Sequence, residues 1–254
     1  GTWAMIDSLL GGTKSMRAAG AAFMPQHTEE SDNNFGERIA SNVLFNAMEL
    51  TLDHFVGRPF SDPVRLNNDV PDDIVEHAKN IDLQGNDITT FCRDWFRCGL
   101  SKGFCHVLVD MPSMNEEAVP LTLADDRADG RRPFWVRIEP ENMIFAEADV
   151  IVDPQSGELR EWFTHVRLRE NIIQRIGFAE IVRERIRIIE PGFFQVWERV
   201  KPKGKKEQWM MIEFGETGID FVPIVTFYSN RESFMVSKPP LEDLAHLNIR
   251  HWQS

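Results

Sequence analysis

Apolar residues recur along this chain with two different periods, and the change from one to the other falls near Arg132. Up to that point the spacing is mostly helical, three or four residues apart. Residues 1–24 predict one or two short helices broken at Gly11 and Gly12, and the polar stretch 25–34 (PQHTEESDNN) predicts a surface loop and hinge. Residues 35–56 predict a single long helix. Phe35, Ile39, Val43, Ala47 and Leu50 form its apolar stripe, residues 31–34 offer N-caps, and Gly57 with Pro59 stops it. A short helix is expected after Pro71, where Asp72 and Asp73 suit a first turn. Asn86 or Asp87 then caps a helix running to Leu100, with Ile88, Phe91, Cys92, Trp95, Phe96 and Cys98 on its apolar face. Gly99 and Gly103 loosen its end. Residues 104–110 (FCHVLVD) predict a strand buried on both faces, and 114–132 a long polar, mobile loop.

Beyond Arg132 the runs are short and alternate between apolar and polar. Segments 133–139, 142–145, 159–170, 180–190, 192–200 and 208–214 each predict a half-buried strand. Turn residues separate several of them: DPQSG at 153–157, Pro191 with Gly192, and KPKG at 201–204. Helices first and strands later predict an α+β fold, with N-terminal helices packed on an antiparallel β-meander. No internal repeat is visible. The chain closes with a strand over 221–228, a polar turn, and Pro239-Pro240 opening a helix with Leu241, Leu244, Ala245, Leu247 and Trp252 at helical spacing. No cap ends that run before Ser254, so the sequence is expected to be a fragment that stops at the start of a longer helix. The expected organisation is a helical arm over 1–31 and an α+β domain over 32–254.

Composition narrows the class. Of 254 residues, 42% are hydrophobic and 27% charged, with 18 Phe and 7 Trp, enough for a real core and unlike a disordered chain. No apolar run approaches the roughly 20 residues that cross a bilayer, and no membrane partner is expected. The first residues lack the basic and apolar regions of a secretory signal. Cys92, Cys98 and Cys105 form no CxxC pair and are expected to be reduced and packed as small hydrophobes in a reducing compartment. Forty acidic against 28 basic residues leave a net charge of −12. That argues against a sequence-specific DNA binder, whose affinity comes largely from phosphate neutralisation. It leaves room for a surface past which DNA slides without sticking.

Candidate chemistry is sparse. The run VLVD at 107–110 has the form of a strand ending in a magnesium-binding aspartate, but the chain lacks the GxxxxGK[ST] loop that chemistry needs. Glu242, His246 and His251 share a helix face and could present metal ligands, without an HExxH or a third ligand at persuasive spacing. There is no GxSxG elbow; Ser229 and Ser237 lie in turns, and the acidic pairs at 116–117 and 125–126 lie in the polar loop. No catalytic residue, metal site or cofactor is therefore assigned. Lys201, Lys203, Lys205 and Lys206 form a basic tip that could touch phosphate or an acidic partner, although an ordinary solvated hairpin tip is the simpler explanation.

The order of motifs resembles the phage portal proteins, the ring-shaped head–tail connectors. The residues that carry the resemblance are RAAG at 17–20 with Met24 and Pro25, FGER at 35–38 with GRPF at 57–60, and IDLQG at 81–85. They continue with GFCHVLVDMP at 103–112, RPFW at 132–135 with Ile138, VPIVTF at 222–227, PPLEDLAHLN at 239–248 and HWQS at 251–254. The resemblance spans nearly the whole chain, each motif being moderately specific and the shared order more so. It implies a non-enzymatic structural subunit of a homo-oligomeric, twelve-subunit ring at one capsid vertex, located in the virion and in the host bacterial cytoplasm during assembly. Its implied partners are the terminase motor, capsid or scaffold proteins, head–tail adaptors, and double-stranded DNA passing without sequence specificity. The resemblance further implies that the residues here look like the family's wing, with stem, clip and crown expected beyond Ser254.

Rings of this kind use heterologous interfaces, so each subunit presents two different faces. Trp3, Met5, Ile6 and Leu9 are the first expectation for one of them, because the N-terminal helices have little evident core of their own to join. Two other readings stand beside the ring subunit: a metal-dependent hydrolase built on Glu242, His246 and His251, and a phage adaptor or scaffold protein that forms no ring.

Overall fold

The computed structural model describes residues 1–112, 131–152, 157, 159–202, 204 and 206–254. Among them lie seven α-helices: α1 (Thr2–Leu10), α2 (Gly12–Ala19), α3 (Asp32–Ser41), α4 (Ala47–Gly57), α5 (Asp72–His77), α6 (Ile88–Lys102) and α7 (Glu242–Gln253). The strands are β1 (Phe104–Asp110), β2 (Phe134–Ile138), β3 (Met143–Val152), β4 (Leu159–Ile176), β5 (Ala179–Glu190), β6 (Phe193–Val200), β7 (Gln208–Glu216), β8 (Ile224–Tyr228), β9 (Arg231–Ser233) and β10 (Val236–Ser237). The fold is α+β, as the two periods predict. None of the described helices is long and apolar enough to cross a membrane.

The chain forms two compact units, one of residues 1–105 with 226–254 and one of residues 106–225. The boundary is therefore not the one expected at residue 31. The N-terminal helices belong to the first unit, and both crossings between units run along strands, β1 and β8.

In the first unit, Met5, Ile6 and Leu9 lie on one face of α1 and are buried with Met16, Met24, Leu44, Met48, Ala245, Ile249 and Trp252. Each such side chain removed from water contributes roughly 1.5–3 kcal/mol. Polar contacts fix α1 in place. The Trp3 indole donates to the Lys102 carbonyl at 2.9 Å, Thr2 Oγ1 donates to Glu242 at 3.1 Å, and Lys102 pairs with Asp7 at 3.2 Å. The core that the N-terminal helices appeared to lack is supplied by α7, from the far end of the sequence. In the preceding turn Arg38 grips Glu30 through Nε at 2.8 Å and Nη2 at 2.6 Å, which holds the Glu30 carboxyl down at about 2.

The single helix expected over 35–56 is two helices. α3 ends at Ser41 and α4 begins at Ala47, although the apolar period runs through the gap. Side chains capture the backbone there. Asn46 caps α4 by accepting the Glu49 N–H at 3.1 Å and donates to the Leu9 carbonyl at 2.7 Å. Asn42 donates to the Trp252 carbonyl at 2.5 Å, Thr13 Oγ1 accepts the Leu44 N–H at 3.1 Å, and Asn248 binds Phe45 and Met48. An asparagine that offers a cap competes well with one more helical turn. The expected stripe residues Val43 and Leu50 consequently face solvent.

α6 starts where it was expected, with Asp87 accepting the Thr90 N–H at 2.7 Å. Its end is closed by Gly103, whose φ of +94° favours glycine and whose added Cβ would meet the Ser237 carbonyl oxygen at 2.7 Å. The two serines seen in turns cover that end: Ser229 Oγ and Ser237 Oγ lie 2.9 and 2.7 Å from the Gly103 carbonyl. At Gly99 the helix lets the Phe227 ring approach so closely that a Cβ would fall 2.3 Å from it.

The second unit holds an antiparallel meander in the order β3-β4-β5-β6-β7, each strand following its neighbour in sequence. Tight turns join β4 to β5 and β5 to β6, the latter at Pro191 and Gly192 as expected. One sheet face is buried through Val166, Leu168, Ile189 and Val196. Within the same unit β1 pairs with β2 antiparallel, His106 opposite Ile138 and Asp110 opposite Phe134. The loop expected over 114–132 lies outside the described residues as far as 130, as does most of the turn expected at 153–157.

Candidate interaction surfaces

The polar groups of the second unit are organised around Arg187, on the buried side of β5. Its Nη1 donates to Asp110 Oδ2 at 2.6 Å, and its Nε lies 3.0 Å from Glu170 Oε1. The Nε–H is poorly aligned with that oxygen, so this second contact is mainly electrostatic. Burial pushes the Glu170 carboxyl upward against the pull of Arg187. Asp110 is thus occupied in an internal ion pair at the end of a core strand. On β6, Glu198 receives Arg183 at 3.3 Å and Arg185 at 2.8 Å. These are closed ion pairs, and none leaves a nucleophile or general base beside a cleft.

The helix face of Glu242, His246 and His251 does not converge. Glu242 accepts from Thr2, His251 stands 6.2 Å from the Phe45 ring, and His246 lines a shallow surface depression with Asp243, Leu247 and Arg250. Among the described residues no group of three His, Cys, Asp or Glu side chains is placed to hold a metal ion. Of the basic tip, Lys201 and Lys206 are exposed, while Lys203 and Lys205 lie outside the described residues.

The expectation that Trp3, Met5, Ile6 and Leu9 form an exposed face is corrected by their burial. Met5, Ile6 and Leu9 are core residues, and half-buried Trp3 is tied to Lys102 and packed edge-on against Phe104 at 5.9 Å. The exposed apolar residues of the first unit instead include Val43, Phe45, Leu50, Phe55 and Leu247.

The second unit exposes more. β3 pairs with β4 only as far as Leu168, and β6 pairs with β5 only from Arg185 onward. Between them β4 and β5 continue alone as a two-stranded ribbon, paired from Asn171 with Glu184 out to Ile176 with Ala179. Ile173 and Val182 sit opposite one another on one face, 64% and 61% exposed, and Ile172 faces Arg183 on the other. Phe178 stands fully exposed at the tip. On the other side of the sheet β7 is an edge strand, with Trp209, Met210, Met211, Ile212 and Phe214 all exposed. An isolated ribbon is marginal in water, and a long apolar edge invites another strand.

Sequence reasoning missed both surfaces. The signal was present in the ribbon as apolar residues at successive positions, IIQRI and IV, which a half-buried strand does not need. No protein-family model matches the chain, and no curated protein matches it.

Proposed function

We propose that this chain is a structural subunit of a homo-oligomeric assembly, a phage portal ring of the kind its motifs resemble. The observation that carries the reading is the apolar ribbon at residues 171–182 together with the apolar edge β7. Soluble monomers rarely keep large contiguous apolar surfaces, whereas a subunit that buries them against its neighbours has reason to. Two dissimilar surfaces on one chain are what a heterologous, ring-closing contact requires. The acidic balance of −12 suits a conduit for double-stranded DNA that must not hold its cargo. In this reading the terminase, capsid or scaffold proteins and head–tail adaptors dock on the ring, which occupies the capsid vertex of the virion. The ion pairs of the second unit act in folding and not in catalysis.

An adaptor or scaffold protein that remains monomeric shares the exposed surfaces, and microscopy separates the two. Negative-stain images of the purified protein are expected to show rings with a central hole. Monodisperse single subunits at every concentration tested would sink the ring reading and favour the adaptor.

A further inference from the structure

Independently of that reading, we infer that His165 is a proton-operated clasp on the outward face of the meander: a proton on its Nε2 expels the Arg167 guanidinium and uncovers the Phe145 ring. The cluster lies on the sheet face opposite the buried Val166, Leu168 and Ile189. His165 and Arg167 are two residues apart on β4 and so share that face. On β3, Phe145 pairs in register with Arg167 and Glu147 with His165. Glu190 reaches His165 from β5, its Oε1 2.7 Å from Nδ1. On the other side of the ring, Arg167 Nε lies 2.9 Å from His165 Nε2. The guanidinium also stands over the Phe145 ring, 4.7 Å from its centroid, and the imidazole meets the same ring edge-on at 5.6 Å.

These partners fix the protons. An arginine Nε–H only donates, and the guanidinium does not give its proton up, so His165 Nε2 is an acceptor. The single ring proton of the neutral imidazole is therefore on Nδ1, where it is donated to the Glu190 carboxylate. Both ring nitrogens are engaged in that state. A second proton enters only at Nε2, where it turns the acceptor into a donor and sets an imidazolium against a guanidinium. The bond to Glu190 survives and strengthens, because both partners then carry charge. The bond to Arg167 does not. The ring stays in place while Arg167 leaves, and Phe145 loses the cation above it.

The surrounding charges accommodate the change. Two rows of side chains cross the sheet at His165 and Arg167, and their acids are Glu147 on β3, Glu190 on β5 and Glu216 on β7. Arg167 is the cation in those rows, with Arg169 one row further along β4, and β6 contributes the uncharged Phe193 and Gln195. A proton on His165 sets three cations against three acids. Glu147, opposite His165, offers the released guanidinium a carboxylate on the same face. The His165 side chain is 17% exposed, so water can deliver the proton. Histidine is the side chain suited to such a change, since its charge alters between about pH 5 and 8.

The test uses the full chain with 15N-labelled histidine and arginine. At about pH 8, nuclear magnetic resonance spectra are expected to show His165 protonated on Nδ1 alone, and on lowering the pH to about 5 the Arg167 Nε resonance is expected to shift together with the arrival of the Nε2 proton. A trifluoromethyl-phenylalanine at position 145 is expected to shift over the same interval in the parent chain and to stay still in His165→Gln. That amide can accept from Arg167 and donate to Glu190 but gains no proton. A neutral ring protonated on Nε2, or an Arg167 resonance that ignores the protonation of His165, overturns the inference. So does a fluorine shift that persists undiminished in His165→Gln. The nitrogen spectra of the parent chain decide the matter by themselves if the variant misfolds. No outcome bears on ring formation, which microscopy settles separately.

Discussion

Asn248 holds Met48 from across the first unit: its Oδ1 accepts the Met48 N–H at 3.0 Å while its Nδ2 donates to the Phe45 carbonyl at 2.9 Å. The side chain is 3% exposed, so both backbone groups would lose their partners in a site with little water. Asn248→Ala is expected to destabilise the protein by about 1–3 kcal/mol, the cost of leaving buried groups unsatisfied. Asn248→Asp keeps the acceptor but loses the donor, and is expected to be destabilising as well. Urea denaturation read by tryptophan fluorescence checks both; a loss below ~0.5 kcal/mol would show that the segment 42–46 does not depend on this clamp.

His106 is completely buried on β1, and desolvation lowers its pKa to about 4 from an ordinary 6.5. An unfolded chain takes up the proton near 6.5 and the folded one does not, so the contribution is full above pH 6.5 and falls away as pH drops towards 4. Two to three pKa units correspond to about 3 kcal/mol. The urea midpoint is expected to decline between pH 7 and 4.5, and His106→Gln to flatten part of that decline. An identical slope in the variant would remove His106 as the cause.

Arg187 answers two carboxylates at once, Asp110 and Glu170. Arg187→Leu leaves both without their cation and is expected to cost about 3 kcal/mol, at the low end for a buried pair because a quarter of the side chain still meets water. Adding Asp110→Asn and Glu170→Gln is expected to recover part of the loss. Thermal denaturation of the single and triple variants decides it, and no recovery would show that the cost lies in packing.

Gly99 is a packing test with no charge involved. The Phe227 ring occupies the position of the missing methyl group, and Phe227 stacks in turn near Trp95 and Phe96 at centroid distances of 5.9 and 5.4 Å. Gly99→Ala gains helix propensity of about 1 kcal/mol but must displace an aromatic ring, which typically costs 1–3 kcal/mol. A net loss is expected in calorimetry, and a net gain would mean that the ring moves freely.

Local signals in the sequence place most elements well. Asp87, Pro71 and the glycines at 11–12 mark helix ends because capping and turn geometry act within a few residues, and alternation marks the meander for the same reason. What the sequence hides is decided at long range. The helix break at 42–46 depends on Asn248, Trp252 and Thr13, whose positions no window around residue 44 contains. The burial of Met5, Ile6 and Leu9 depends on Ala245, Ile249 and Trp252, so a face that looked unclaimed turns out to be core. The ribbon was misread for a different reason. Strand reading expects one wet face, and residues 171–182 have none that is consistently polar. As for function, the described Glu242, His246 and His251 do not converge, and the surfaces that stand out carry backbone and apolar side chains, which have no motif.

The two-strand crossing by β1 and β8 also sets an order of events. The first unit is interrupted, so Met5, Ile6 and Leu9 emerge from the ribosome long before the α7 residues that cover them exist. The second unit, continuous from 106 to 225, can fold while the first is still waiting. A nascent chain stalled with Val225 outside the exit tunnel is expected to resist protease across β3–β7 and to be cut in α1–α4, with protection of those helices appearing only once Trp252 has emerged. Early protection of α1 would sink that order. If it holds, the newly made chain carries an open, apolar half-unit throughout most of its synthesis, closed only when α7 arrives.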